Sequence, residues 1–323
     1  MSATAVLTNE AVASLAGRDL LSISDLTTAE AVGLFDLAGE MKRDIATWRG
    51  ALAGRSVIML FEKASLRTRV SFEVGVAQMG GHAMYFDHSA QKIGERESVK
   101  DYGRNLERWV QGIIARVYSH EVLAKLAANC DVPVVNALCD EEHPCQALAD
   151  LFTLREKHSD LAGLKLAYVG DGNNVCHSLL LLAAKLGVSM TIVTPRGFEP
   201  QFEVLRRAQG DCVVSGASIR VCNDIKSLAG HHAVYTDVWV SMGQSHQSHE
   251  RMAVFGAFQV DEDVMARASE GLDSPSLFMH CLPAKRGVEV TDGVIDSASS
   301  VVYDQAENRM HVQNALLASL LAR

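Results

Sequence analysis

Residues 55–80, RSVIMLFEKASLRTRVSFEVGVAQMG, pass from an apolar run through a polar turn into helical spacing. RSVIMLF (55–61) is continuous, apolar and of strand length, the pattern of a strand covered on both faces. A helix is predicted after it, from about Arg67 to Met79. Outward from this unit the rhythm repeats. HAMYFD (82–87), IIARVY (113–118) and PVVNA (133–137) read as strands, with a helix through Val99, Tyr102, Leu106 and Trp109. Upstream, Thr27 or Thr28 is placed to cap a helix through AEAVGLFDLAGEMKRDIATW. Downstream, KLAYVG (165–170), VSMTIVTP (188–195), SIRVCND (218–224), HAVYTDVWV (232–240), LFMHCL (277–282) and SVVYDQ (300–305) are strand candidates. Strands alternating with helices predict parallel sheets joined by crossover helices. The expected fold class is α/β, with two domains, each a parallel β-sheet flanked by helices.

A chain of 323 residues exceeds the ~100–200 that one core usually holds. The expected domains are residues 1–142, with a last helix (306–323) packing back on them, and residues 143–305. HPCQALADLFTLREKH (143–158) reads as the joining helix. Net charge is −9 with no basic block, which disfavours a nucleic-acid partner. Seven cysteines without a CxxC pair predict reduced thiols, neither a disulfide framework nor a zinc site. No apolar run approaches the ~20 residues of a membrane helix, and the first residues do not read as a targeting segment. A cytoplasmic location, no membrane association and no metal are the expectations.

The polar clusters SLRTR, Arg116, EEHP, GDGNN, TDVWVSMG and HCLP fall at the carboxyl ends of expected strands. Ligands of open parallel sheets bind there, so the chain reads as an enzyme with its active site in the interdomain cleft. Around Ser65, Leu66, Arg67, Thr68 and Arg69 a strand end meets a helix start, where N–H groups, hydroxyls and guanidinium groups suit an anion. The same spacing also fits a capped helix with two solvated arginines. It is not a nucleotide-binding GxxxxGK[ST] loop, and in GDGNNV the third glycine of a dinucleotide fingerprint is Val175. No cofactor is expected.

SLRTR resembles the S-T-R-T-R motif of the aspartate and ornithine carbamoyltransferase family. Arg116, HPCQ (143–146), GDGNN (170–174), DVWVSMG (237–243), HCLP (280–283) and ENR (307–309) follow in that family's order. DVWVSMG with HCLP is similar to the ornithine branch. The resemblance implies carbamoyl transfer from carbamoyl phosphate to the δ-amine of L-ornithine, giving L-citrulline and phosphate. Direct amine attack would pass through a tetrahedral intermediate. It assigns Ser65, Leu66, Arg67, Thr68, Lys92, Arg116, His143, Gln146, Cys281, Leu282 and Arg309 to carbamoyl phosphate. Arg116, His143, Cys281 and Arg309 take the catalytic roles. Asn174, Asp237, Ser241 and Met242 are assigned to ornithine, with Asp237 facing the α-amino group. Alone, Asp237 also fits a strand-end turn, His143 a packing histidine and Cys281 a buried structural thiol.

Ala64 and Leu66 stand where the family usually has proline and threonine. Lys92 stands where ornithine enzymes often carry glutamine or histidine. Aspartate enzymes donate a lysine from this region across a subunit boundary, so Lys92 is a candidate to reach a neighbouring subunit's site. The resemblance implies a homotrimer and a place in arginine biosynthesis. N-acylated ornithine, putrescine or aspartate as acceptor, and a non-catalytic homologue, are the alternative readings.

Overall fold

The computed structural model describes residues 9–240 and 248–322. The chain divides into two compact units, residues 1–149 with 308–323 and residues 150–307. The division falls inside α6 (Pro144–His158) rather than at its start, and again inside α12 (Val302–Leu320).

In the first unit α1 (Glu10–Ala13) and α2 (Thr28–Arg43) precede β1 (Ser56–Phe61), α3 (Leu66–Gln78), β2 (His82–Asp87), α4 (Val99–Leu106), β3 (Gly112–Arg116), α5 (His120–Ala127) and β4 (Val134–Leu138). The four strands are parallel in the order β2-β1-β3-β4. β1 is buried from Val57 to Phe61 and β3 throughout, as strands covered on both faces must be. Thr27 caps α2 through a capping box: its hydroxyl accepts the Glu30 N–H and Glu30 accepts the Thr27 N–H. α1 and α2 are entered through such polar caps, and so are α3, α4 and α5, whose caps are Ser65, Ser98 and Ser119.

The second unit contains β5 (Lys165–Val169), α7 (Asn174–Lys185), β6 (Ser189–Val193), α8 (Phe202–Ser215), β7 (Ile219–Cys222), β8 (Ala233–Thr236), α9 (Ser248–Phe255), α10 (Glu262–Ala268), β9 (Leu277–His280) and α11 (Asp292–Ile295). Its five strands are parallel in the order β7-β6-β5-β8-β9. Ala167, Val169, Val193, Val234 and Phe278 line one side of that sheet against Val260, Val264 and Val294.

Two sequence expectations are corrected. β8 stops at Thr236 instead of running to Val240, because the Asp237 carboxyl accepts the N–H of Val238 and ends the ladder there. SVVYDQ is not a strand. Only Ser300 bridges to Phe278, and α12 begins at Val302. The adjacent β-branched Val301 and Val302 favour a strand locally, but both are buried at the start of a helix, and tertiary burial overrides propensity.

Both sheets reverse their strand order once. In the first the chain winds outward from the β1/β3 pair, in the second from the β5/β8 pair. These are the switch points at which ligands of open α/β sheets bind.

Candidate active site

At the first switch point Phe61 is in register with Arg116, so the turn after β1 and the end of β3 lie level. A register irregularity between Ala115 and Arg116 re-aims the end of β3. Ser65 caps α3: its Oγ accepts the Thr68 N–H at 3.3 Å and donates to Thr68 Oγ1 at 3.0 Å. Arg116, almost fully buried, donates from Nε to the Lys63 carbonyl at 3.2 Å and holds Nη1 3.5 Å from Thr68 Oγ1. Arg309 of α12 donates from Nη2 to Thr68 Oγ1 at 2.7 Å and from Nη1 to Gln146 Oε1 at 3.1 Å. Thr68 is completely buried, and three side chains converge on its hydroxyl. With its lone pairs occupied by Ser65 and Arg309, that hydroxyl has its own proton to donate.

His143 precedes α6 and is buried beside this group. The residue before it, Glu142, accepts from the Ser22 hydroxyl at 2.5 Å and the Ile23 N–H at 3.0 Å, which anchors the turn. Burial, then the charges of Arg309 and Arg116, hold the imidazole well below the ordinary histidine range. His143 is therefore neutral at pH 7 and acts as a hydrogen-bonding group without charge. Two fixed guanidinium groups with neutral donors around them suit an anion and a developing oxyanion.

Other residues of the motif go elsewhere. Arg69 pairs with Glu73 at 3.0 Å and stacks on Tyr85, its guanidinium carbon 4.0 Å from the ring centroid. Arg69, expected beside Arg67 to grip the anion, is here engaged with Glu73 and Tyr85. The Leu66 side chain is exposed, leaving only its backbone to serve the turn. Lys92 Nζ stands 4.9 Å from the ring centroid of Tyr118, and Lys63 Nζ stands 4.4 Å from the same ring. Burial and the neighbouring Arg116 lower the Lys63 pKa.

At the second switch point the registers Val169↔Thr236 and Thr236↔His280 bring Gly170, Asp237 and Cys281 to one level. Asp237 is nearly buried. Its Oδ1 accepts the Val238 N–H at 2.8 Å and the Cys281 thiol at 3.1 Å, and its Oδ2 accepts Asn173 Nδ2 at 2.9 Å. Asn173 also caps α7, with Oδ1 accepting from Val175 N and Cys176 N. Asn174, the expected ligand, turns Oδ1 back to the Val175 N–H at 3.1 Å. A Cβ on Gly172 would meet the Pro200 nitrogen at 2.3 Å, so the close approach that glycine permits is taken by the chain's own backbone. Ser241 and Met242 lie outside the described residues.

Burial, then the charge of Asp237, pushes the Cys281 thiol well above its ordinary value. It stays protonated and donates. Beside it, His280 Nδ1 accepts the Leu282 N–H at 2.8 Å, so Nε2 carries the proton and faces Glu289 at 3.3 Å. This bond holds Leu282 in the left-handed region, at φ +53°, and the Leu282–Pro283 peptide is cis. Asp237, His280 and Cys281 place one ligand atom each within 4.8 Å, the only such trio among the described residues. Asp237 and Cys281 bond to each other, and His280 Nδ1 to the Leu282 N–H.

Several contributors were missed in the sequence. Asn173 carried a signal, an asparagine just before a helix. Glu62, Lys63 and Arg251 carried none. Buried Arg251 pairs with Asp171 and donates from Nε to the Trp239 carbonyl at 2.5 Å.

The first cluster gathers guanidinium groups with neutral donors, and the second gathers neutral donors around a carboxyl group. Residues 18–156 match the carbamoyl-P binding domain of aspartate/ornithine carbamoyltransferase, and residues 162–320 match its Asp/Orn binding domain. An ornithine carbamoyltransferase of Shewanella oneidensis is 47% identical over 305 residues, 94% of this chain and 100% of the relative. The solved ornithine carbamoyltransferase of Pyrococcus furiosus superposes with a TM-score of 0.90 at 45% identity, covering 95% of this chain and 98% of that one. A solved N-acetyl-L-ornithine transcarbamylase superposes at 0.84 with 30% identity, covering 94% and 99%. The chain belongs to the aspartate/ornithine carbamoyltransferase family.

Proposed function

We propose that the chain transfers the carbamoyl group of carbamoyl phosphate to the δ-amine of L-ornithine, releasing L-citrulline and phosphate. The observation that carries this is the contrast between the Thr68–Arg116–Arg309 cluster and the Asp237–Asn173–Cys281 cluster. The first suits a phosphate and an acyl oxygen. In the second, a carboxyl group held by neutral donors suits the α-amino group of an amino acid, whereas aspartate would need a cation for its second carboxylate. Relatives at 45–47% identity named ornithine carbamoyltransferase support the same choice.

In this reading Ser65, Leu66, Arg67 and Thr68 hold the phosphate with the end of α3. Arg116, His143 and the Thr68 hydroxyl meet the carbonyl oxygen as it becomes an oxyanion, and Gln146 and Arg309 orient the carbamoyl group. Asp237, with Asn174, Ser241 and Met242, takes the ornithine head. Cys281 and the Leu282 carbonyl orient the δ-amine, which attacks the carbonyl carbon directly. The tetrahedral centre then collapses with loss of phosphate, itself the acceptor for the amine proton. A protonated Cys281 thiol is consistent with a role other than covalent nucleophile. Transfer needs both substrates held in attack geometry, which contributes the largest part of the rate.

A homotrimer is the proposed assembly. Leu66, Val70 and Val74 are exposed along one face of α3, and Phe86 is exposed on the edge strand β2, an apolar surface suited to a second copy. Sedimentation as an active monomer of 35.0 kDa overturns this.

The test is product formation from carbamoyl phosphate with ornithine, N-acetylornithine, putrescine and aspartate offered in parallel and products identified by mass. Strong preference for ornithine supports the reading. Preference for another amine keeps the transfer chemistry and removes the role given to Asp237. No product with any acceptor returns the chain to a non-catalytic role.

A further inference from the structure

Glu62 lies immediately after β1, before the SLRTR turn, and is 3% exposed. A buried carboxyl group must satisfy its oxygens, and here both partners are backbone N–H groups. Oε1 accepts the N–H of Ile93 at 2.9 Å and Oε2 accepts the N–H of Tyr118 at 2.8 Å. One side chain thus joins two loops far apart in sequence to the end of β1. The Glu62 N–H donates to the Arg116 carbonyl at 2.9 Å, which extends the β1–β3 ladder one step beyond the sheet.

One tethered loop carries Lys92 and the other the ring on which it stands, while Lys63 follows Glu62 itself. Lys92 precedes Ile93, and the near end of its loop is held by the His88 N–H on the Phe61 carbonyl at 2.8 Å. His88 Nδ1 faces the Gln91 carbonyl at 2.9 Å and Nε2 faces the Tyr102 hydroxyl at 2.7 Å. Tyr118, the second tethered residue, has Lys63 and Lys92 within 5 Å of one ring. The ring thus collects two cations from different parts of the chain, and cations held at a phosphate site strengthen the grip on its charge.

We propose that Glu62 is the positioning residue of the carbamoyl-phosphate half-site. By fixing the Ile93 and Tyr118 backbones it sets where Lys92 and Tyr118 are presented to bound carbamoyl phosphate. Glu62 touches no substrate; it acts through Lys92 and Tyr118. The inference rests on the reading of this half-site as the carbamoyl-phosphate site.

The test is a double-mutant cycle of Glu62→Gln and Lys92→Ala, with kcat, both KM values and the melting temperature measured for each variant. Glutamine keeps the shape but turns an NH2 group toward one of the two N–H groups. The KM for carbamoyl phosphate is expected to rise about tenfold, the size of one lost charge-assisted hydrogen bond. The ornithine KM should stay within about twofold. Lys92→Ala should raise the same KM by itself and add less than about twofold in the Glu62→Gln background, because residues acting through one another are not additive. A Glu62→Gln effect of the same size with and without Lys92 overturns the proposal, as does a loss shared equally by both KM values and tracking the folded fraction. Should Glu62→Gln fail to fold, Lys92→Ala and Tyr118→Leu decide, and an unchanged KM for carbamoyl phosphate in both overturns it. Failure of the unaltered chain to form citrulline overturns the reading beneath; an active chain indifferent to Lys92 overturns this inference alone.

Discussion

β1–α3 and β5–α7 are the same device built twice: a buried central strand, a polar turn, and a helix begun by a side-chain cap. Their chemistry is opposite. After β1 the Ser65 cap leads to Thr68, on which two buried guanidinium groups converge. After β5 the Asn173 cap occupies the helix N–H groups itself and turns its other end to Asp237. Sheet topology therefore decides where a ligand can bind, and the residues at the strand ends decide which charge it carries.

The largest expected effect breaks the first half. Arg309→Ala removes the cation that fixes both Gln146 and the Thr68 hydroxyl, and kcat should fall roughly 10²–10³-fold, the usual loss when an oxyanion donor such as Thr68 is taken out of place. Near-normal kcat in steady-state assays would remove Arg309 from the reaction. Next, Asp237→Asn should raise the ornithine KM about 10–100-fold, as expected for a lost hydrogen bond to a charged group, while the KM for carbamoyl phosphate barely moves. If both KM values rise together, the assignment of one substrate to each half collapses.

Smaller effects sharpen the contrast. Cys281 is a protonated, weak donor to Asp237, so Cys281→Ser should cost no more than about fivefold in kcat/KM. Alkylation by iodoacetamide at pH 7.5, followed by peptide mass, should find Cys281 slow; fast modification would mean a thiolate. The smallest effect concerns pH. The folded chain holds His143 neutral below the pH at which the unfolded chain would protonate it. Its stabilising contribution is complete above the ordinary histidine value of 6.5 and is lost as pH falls below it. Urea midpoints measured from pH 7.5 to 5.0 should decline, and less steeply in His143→Gln. Some slope should persist, since His158, His231 and His232 are also held below the ordinary range. Identical slopes would show that His143 protonates freely in the fold.

Much of this was legible in the sequence. Apolar runs such as RSVIMLF and KLAYVG announce strands because a strand covered on both faces has no polar side to show. The turn residues announce themselves by chemistry. HAVYTDVWV misled because its apolar residues continue past Asp237, whose side chain bonds the next N–H and ends the strand. SVVYDQ misled because local β-branching does not reveal that a long-range core will take those valines into a helix.

The sequence by itself determined the alternation of strands and helices, the family, and the identity of the residues at the strand ends. These follow from local patterning and the order of motifs, which need no partner to be read. Only the tertiary structure decided that Thr68 is shared by Arg116 and Arg309, that Asn173 steadies Asp237, and that Arg69 serves Glu73 and Tyr85. It alone set Glu62 against Ile93 and Tyr118. Such pairings depend on strand register and on which side of a helix faces the sheet, and these are fixed by burial of residues distant in the chain.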